Sequence, residues 1–223
     1  MTEITEHLRE IVERVARAAR VARRTADVTI VAVSKQKTSE EIAEAYRAGQ
    51  RDFGESYVQE AVPKIDALRD HDIVWHFIGA PQANKTRPVA EKFHWVHTVD
   101  RAKIAARLND QRPHFAAPLN VLIQVNQAHE AQKGGASVAD VVPLARAILA
   151  LPRLKLRGLM TIPPADADPE PWFRELAALH ARLCRDGFAL DTLSMGMSAD
   201  FEKAIAAGSN CVRIGTAIFG PRA

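Results

Sequence analysis

The chain has 223 residues, 47% hydrophobic and 26% charged, with 30 basic and 27 acidic side chains for a formal net charge of +3. This is enough length and apolar content to bury a large core, and too mild a basic excess to argue for nucleic acid by charge alone. Two distant cysteines, Cys184 and Cys211, without a metal-ligand pattern point to a reduced cytoplasmic setting. No apolar run approaches membrane length, and the polar, acidic start argues against a signal peptide.

Residues Ile4 to Arg24 read as one amphipathic helix, with Ile4, Leu8, Ile11, Val12, Val15, Ala18 and Ala19 at helical spacing. Its other face carries six arginines interleaved with Glu3, Glu6, Glu10 and Glu13. That pattern suits a solvated face with i,i+4 pairs better than a membrane or RNA surface. Strand patterns then fall at Val28–Val33, Asp52–Phe53, Ile73–Ile78, Trp95–Thr98, Leu119–Val125, Lys155–Leu159, Thr192–Ser194 and Cys211–Ile214. Helical patterns separate them. Thr38–Glu41 and Ser56–Gln59 read as capping boxes, and Gly49 and Gly208 sit where helices end. Helices are also expected over Arg101–Leu108, Ser137–Leu151, Pro169–Asp186 and Ala199–Ala207. About eight strand–helix units without a linker predict a single α/β domain over 1–223, a closed (β/α)8 TIM barrel with an extra N-terminal helix. An open doubly wound sheet is the alternative, but no glycine fingerprint follows the first strand.

The first strand runs into Ser34 and Lys35. Chemistry in βα proteins gathers at the carboxyl ends of strands. A lysine there can be partly desolvated, which lowers its pKa and frees its amine to attack an aldehyde. It can also simply reach into water. Two late segments bear on the choice. Ser194-Met-Gly-Met-Ser198 reads as a small-residue turn, with Ser198 as a helix cap, whose N–H groups could hold an anion. Arg213-Ile-Gly-Thr-Ala-Ile-Phe-Gly220 ends the last strand, where Gly215 allows close approach and Thr216 adds a hydroxyl. Barrels commonly bind phosphate after their seventh and eighth strands. A phosphate site and a Schiff-base lysine on one face suggest pyridoxal 5′-phosphate. His76, near the end of the third strand, is expected to stack on or bond near a cofactor ring, or to be an ordinary core histidine. Ser56, Gln82, Asn84, Lys85 and Lys133-Gly-Gly135 supply polar groups in the loops. His94, His97, His114, His129 and His180 have no convincing metal spacing.

With Val-Ala-Val-Ser-Lys35, Phe53-Gly-Glu, Tyr57-Val-Gln-Glu60, Trp75-His-Phe-Ile-Gly79, Asn84-Lys85, Ser194–Ser198 and Arg213–Gly220 in view, the chain resembles the pyridoxal phosphate homeostasis protein family over nearly its full length. The resemblance implies a barrel like the N-terminal domain of alanine racemase, of the fold-type III cofactor-binding class. It implies Lys35 as the Schiff-base residue. Ser194, Gly215 and Thr216 would match phosphate contacts, Met195 would line the pocket, and Arg213 would approach the ring or phosphate, weakening the electron sink. Ser56 stands where the family usually has Asn, and the Gly79-Ala-Pro-Gln82 loop departs from the usual Gly-Pro-Leu-Gln. The implied function is buffering or delivery of pyridoxal phosphate, with cofactor-free enzymes as partners, no nucleic acid or membrane, and a monomer or weak homodimer. An amino-acid racemase is the competing reading. It needs a second base on the far face of the adduct, and the chain offers only Tyr46 and Tyr57, both expected within helices and neither in a second domain.

Overall fold

The computed structural model describes residues 2–25, 27–128, 130 and 134–221. His129 and Lys133 lie outside the described residues. Eight parallel strands close into a barrel in chain order: β1 Thr29–Val33, β2 Asp52–Glu55, β3 Val74–Phe77, β4 Trp95–Val99, β5 Leu119–Gln124, β6 Leu154–Met160, β7 Thr192–Ser194 and β8 Cys211–Ile214. The ring closes through β1 and β8, with Ile30 opposite Val212 and Ala32 opposite Ile214. The helices are α1 Glu3–Val21, α2 Ser39–Arg47, α3 Val58–Ala67, α4 Thr86–Lys92, α5 Ala102–Gln111, α6 Val141–Leu149, α7 Glu170–Arg185, α8 Phe201–Ala206 and α9 Thr216–Phe219. The expected eight-unit barrel is observed, with strand ends moved by at most two residues.

The local signals explain most of the boundaries. Thr38 forms the anticipated capping box: its hydroxyl accepts from Glu41 N–H, and Glu41 Oε2 accepts from Thr38 N–H at 2.7 Å. At the other end of α2, Gly49 turns the chain with φ of +106°, a conformation that favours glycine. Two expected caps are not made. α3 begins at Val58 after Tyr57, without a side-chain cap, and Ser56 instead packs its backbone against Gly79, two residues past β3. There a Cβ added to Gly79 would lie 1.9 Å from Ser56 O. α8 begins at Phe201 rather than Ala199, and Ser198 does not cap it; its Oγ lies 3.4 Å from Ala217 N, at the start of α9.

Outward-facing strand residues and the inner helix faces form one apolar core that includes Phe53, Phe77, Val96, Ile123, Val212 and Ile214 from strands, and Ile42, Ile65, Ile104, Leu108 and Ile148 from helices. Each such fully buried side chain contributes roughly 1.5–3 kcal/mol. Leu8, Ile11 and Val15 of α1 join this core, while Arg14 bridges to Glu202 at 2.6 Å. The arginine face of α1 is otherwise turned outward, as its spacing suggested. Inside the barrel, branched apolar layers are the rule. This barrel instead buries His76, His97, Ser194 and Arg213.

Between β1 and α2 the chain makes a turn over Ser34–Lys37, closed by Lys37 N–H donating to Ser34 O at 3.0 Å. Gln36 holds φ of +63°, uncommon for a side-chain-bearing residue. A buried polar cluster holds the turn. Lys64 Nζ donates to Ser34 O at 2.9 Å and to Glu55 Oε1 at 3.0 Å, and also reaches Glu60, whose Oε1 accepts from Gln36 N–H. Ser34 Oγ donates to Glu55 Oε1 at 2.6 Å. Burial pushes the Glu55 carboxyl above its ordinary range, against the opposing effects of Ser34 and Lys64. Removing the lysine leaves a buried acid without its cation. Lys64→Met is therefore expected to cost about 3–5 kcal/mol in urea unfolding, and Glu55→Gln added to it should recover part of that loss. A double variant as unstable as the summed single variants would show that the two side chains are not coupled.

Candidate functional site at the carboxyl mouth of the barrel

A cavity of about 300 Å³ opens at the carboxyl ends of the strands. Its wall combines residues from opposite ends of the sequence: Val33, Lys35 and Lys37 after β1, Ser56 after β2, Met197 and Ser198 after β7, and Arg213, Gly215 and Thr216 around β8. The size suits a small ligand. Of the residues expected to share a site, Lys35, Ser56, Arg213, Gly215 and Thr216 come together here. Lys35 is half-buried, one residue past the Ser34 position that the Glu55–Lys64 cluster fixes. Closure between β8 and β1 brings Gly215 against Val33: a Cβ at Gly215 would lie 3.3 Å from both Val33 Cβ and Val33 O.

The β7–α8 turn supplies a second wall. Gly196 adopts φ of +96°, and a Cβ there would lie 2.6 Å from Ala204 Cβ, so only glycine fits. The resulting turn presents Met197 and Ser198 to the cavity, while Met197 N–H donates to Asp200 Oδ1 at 2.6 Å. Ser194 and Met195, expected at the cofactor, are both fully buried and do not line the cavity. They precede the turn: Ser194 points into the barrel, while Met195 faces outward and joins the apolar core beneath the helices. Ser198 stands at the wall where Ser194 was expected.

His76 is the clearest displacement. Strand alternation turns Trp75 and Phe77 toward the helices and His76 into the barrel, but at the level of the strands' amino-terminal ends. There it stacks on Trp95, with ring centroids 5.6 Å apart and planes 11° apart. It borders a separate cavity of about 260 Å³ with Thr29, Asp52, Arg157 and Cys211. His76 Nε2 lies 2.9 Å from Asp52 Oδ1, and His76 Nδ1 lies 2.9 Å from His97 Nε2. His97 Nδ1 continues to Ser194 Oγ at 2.9 Å. Arg213 Nη1 donates to the same oxygen at 2.6 Å, and Nη2 donates to Thr161 O at 3.0 Å. Burial lowers the His76 pKa despite the opposing effect of Asp52, which favours the neutral ring at this contact. Burial, with His76 and Arg213 nearby, holds His97 well below the usual histidine range. Cys211 is a buried thiol pushed up to about 11 by desolvation.

Other expected residues fall into place around this centre. Gln82 and Lys85 line a neighbouring cavity of about 290 Å³ that shares Lys35 and Ser56 with the first. Tyr57 borders it too, so it lies at the barrel mouth just before α3 and not within the helix. Tyr46 is on α2, under the guanidinium of Arg51 at 4.0 Å. Gly134 is tied instead to the end of β5, its carbonyl accepting from Gln124 Nε2 at 2.7 Å. Among the described residues no cluster of side chains could hold a metal ion, and no helix is long and apolar enough to cross a membrane. Sequence reasoning missed Lys64 and His97. The i,i+4 spacing of Glu60 and Lys64 was a signal for the first. For the second, the period of two in Trp95-Val96-His97 was a signal for an inward histidine.

Comparison with known proteins places the chain in a family. Residues 7–223 match the family model described as alanine racemase, N-terminal domain. The chain is 50% identical over 223 residues to the pyridoxal phosphate homeostasis protein of Pseudomonas aeruginosa, covering 100% of this chain and 97% of the relative. It is 50% identical over 229 residues to that of Escherichia coli K12, covering 100% and 98%. The structure of PipY from Synechococcus elongatus PCC7942 with PLP bound superposes with a TM-score of 0.86 at 33% identity, covering 97% of this chain and 100% of that one. Alanine racemase from Corynebacterium glutamicum shares the fold, with a TM-score of 0.73 at 15% identity over 98% of this chain and 61% of its own. The chain belongs to the alanine racemase N-terminal domain family and, within that fold, to the family of the pyridoxal phosphate homeostasis proteins.

Proposed function

We propose that this protein binds pyridoxal 5′-phosphate in the Lys35 cavity and serves the intracellular homeostasis of that cofactor, storing or delivering it rather than turning over amino acids. One observation carries the reading: Lys35, Arg213, Gly215 and Thr216 line a single cavity of suitable size. The names of the relatives and the ligand of PipY point the same way.

The residues present fit the group. The cofactor supplies an aldehyde, a phosphate and a pyridine ring. The Lys35 amine would condense with the aldehyde, releasing water and forming a Schiff base. Gly215 and Thr216, with Ser198 opposite, offer small, hydrogen-bonding surroundings for the phosphate. Ser56 lines the same wall. Arg213 is a buried cation that only donates hydrogen bonds. It would discourage protonation of a cofactor ring nitrogen placed near it, and so would weaken the electron withdrawal that amino-acid chemistry requires. A tightly held cofactor with a poor electron sink suits a carrier. Cofactor-free enzymes are the partners this role implies, and Cys184 and Cys211, both unpaired, fit a reducing cytoplasm.

The racemase reading draws support from Tyr57, which stands 57% exposed beside the cavity that shares Lys35. The two readings separate on turnover. Loaded protein incubated with L- or D-alanine should show no sustained racemisation, and a rate near the ~10 s⁻¹ typical of enzymes would establish a racemase. The covalent link separates from mere binding in Lys35→Ala, which should lose the visible absorption of a lysine adduct yet retain affinity through the phosphate. Persistence of that absorption in Lys35→Ala would move the attachment to another lysine. Finally, pyridoxal should bind at least about tenfold more weakly than its phosphate, the loss of one or more charge-assisted hydrogen bonds. Equal affinity would remove Gly215, Thr216 and Ser198 from the phosphate role.

A further inference from the structure

The polar chain through the barrel has a direction. Arg213 has no lone pair to offer, so Ser194 Oγ accepts at that end. Asp52, as a carboxylate, can only accept, so His76 Nε2 carries the hydrogen there. A neutral His76 then presents a bare Nδ1, which takes a hydrogen from His97 Nε2. A neutral His97 in turn presents a bare Nδ1, which takes the hydroxyl hydrogen of Ser194. One set of tautomers satisfies every link, and both ends demand the same set. The reversed order would set a bare His76 Nε2 against the Asp52 oxygens. Burial supports neutral rings at both positions. His97 and Ser194 are fully buried, so no solvent competes for their hydrogen bonds.

We propose that Asp52, His76, His97 and Ser194 are positioning residues, a one-way hydrogen-bond chain that runs from the amino-terminal cavity of the barrel to Arg213 and fixes its guanidinium at the floor of the Lys35 cavity. The chain keeps Ser194 oriented with its lone pairs toward Arg213, because its single hydrogen goes to His97 Nδ1, a stronger acceptor than the neighbouring Cys211 thiol. Thr161 O holds the second guanidinium nitrogen. Arg213 thereby keeps two of its donors in the barrel wall and presents a fixed edge to the cavity. In this account Ser194 acts through Arg213 and not on a phosphate. The chain reaches across the barrel from β2 through β3, β4 and β7 to β8, so a change at Asp52 is felt at the opposite mouth. As a statement about cofactor binding, the inference rests on the pyridoxal phosphate reading of the cavity.

The chain itself is tested without cofactor. Long-range proton–nitrogen spectra of nitrogen-15-labelled protein at neutral pH should show both His76 and His97 as neutral Nε2–H tautomers. A ring protonated on Nδ1, or a charged ring, at either position overturns the chain. Pyridoxal phosphate is then titrated into the wild type, His97→Phe, Asp52→Ala and Asp52→Asn. His97→Phe should weaken binding by about tenfold, the size of one hydrogen bond to a charged group, and shift the absorption of the bound cofactor. Asp52→Ala should mix the His97 tautomers and shift the absorption the same way by less, while Asp52→Asn, which keeps an acceptor oxygen, restores both signatures. If His97→Phe does not fold, the Asp52 pair, at the open end of the barrel, carries the test. Unchanged affinity and absorption in the folded variants would overturn the positioning role alone. A wild-type protein that fails to bind pyridoxal phosphate would overturn the cofactor reading, with the tautomer spectra still reporting on the chain.

Discussion

A guanidinium cannot accept a hydrogen bond, and Arg213 is only 4% exposed inside a closed barrel. Its donors must therefore be matched by acceptors that the fold supplies from within. Ser194 Oγ and Thr161 O do this from β7 and from the segment just after β6. Matching the serine in turn requires a histidine, and matching that histidine requires another and then Asp52. Much of the polar interior follows from one buried cation. Branched side chains would fill the same space more simply, so the polar interior is best explained by what Arg213 does at the mouth.

The lysine is managed by an independent device. Lys64, Glu55, Glu60 and Ser34 fix the turn that carries Lys35, and Gln36 takes a strained backbone conformation within it. Strain of about 1–2 kcal/mol persists only where neighbours over-determine the geometry, and here a buried salt bridge and two backbone contacts do so. The two devices enter the site from opposite sides, one at β1 and β2, the other at β7 and β8. They meet because the barrel closes.

The fold was legible because strand and helix periods alternate without interruption from Val28 onward. Lys35, Gly215 and Thr216 were expected at strand ends on one barrel face, and that placement brings them to one cavity wall. His76 was misplaced because the sequence gives its face but not its height: alternation turned it inward, yet register set it at the amino-terminal level beside Trp95. Ser194 and Met195 were misplaced by the Gly196 turn, which moves the cavity wall on to Met197 and Ser198. Ser56 was read as a cap, but α3 starts one residue further on, after Tyr57. Local spacing hinted at Lys64 beside Glu60 and at an inward His97, but their partners Ser34 and Ser194 lie 30 and 97 residues away, beyond the reach of any local pattern.

The central claim is that Lys35 is where the cofactor is held. Borohydride reduction of the protein incubated with pyridoxal phosphate, followed by peptide mapping, tests it most directly. The account predicts one dominant reduced adduct, on the peptide containing Lys35. A dominant adduct on Lys37, Lys85 or any other lysine, with Lys35 unmodified, would contradict it.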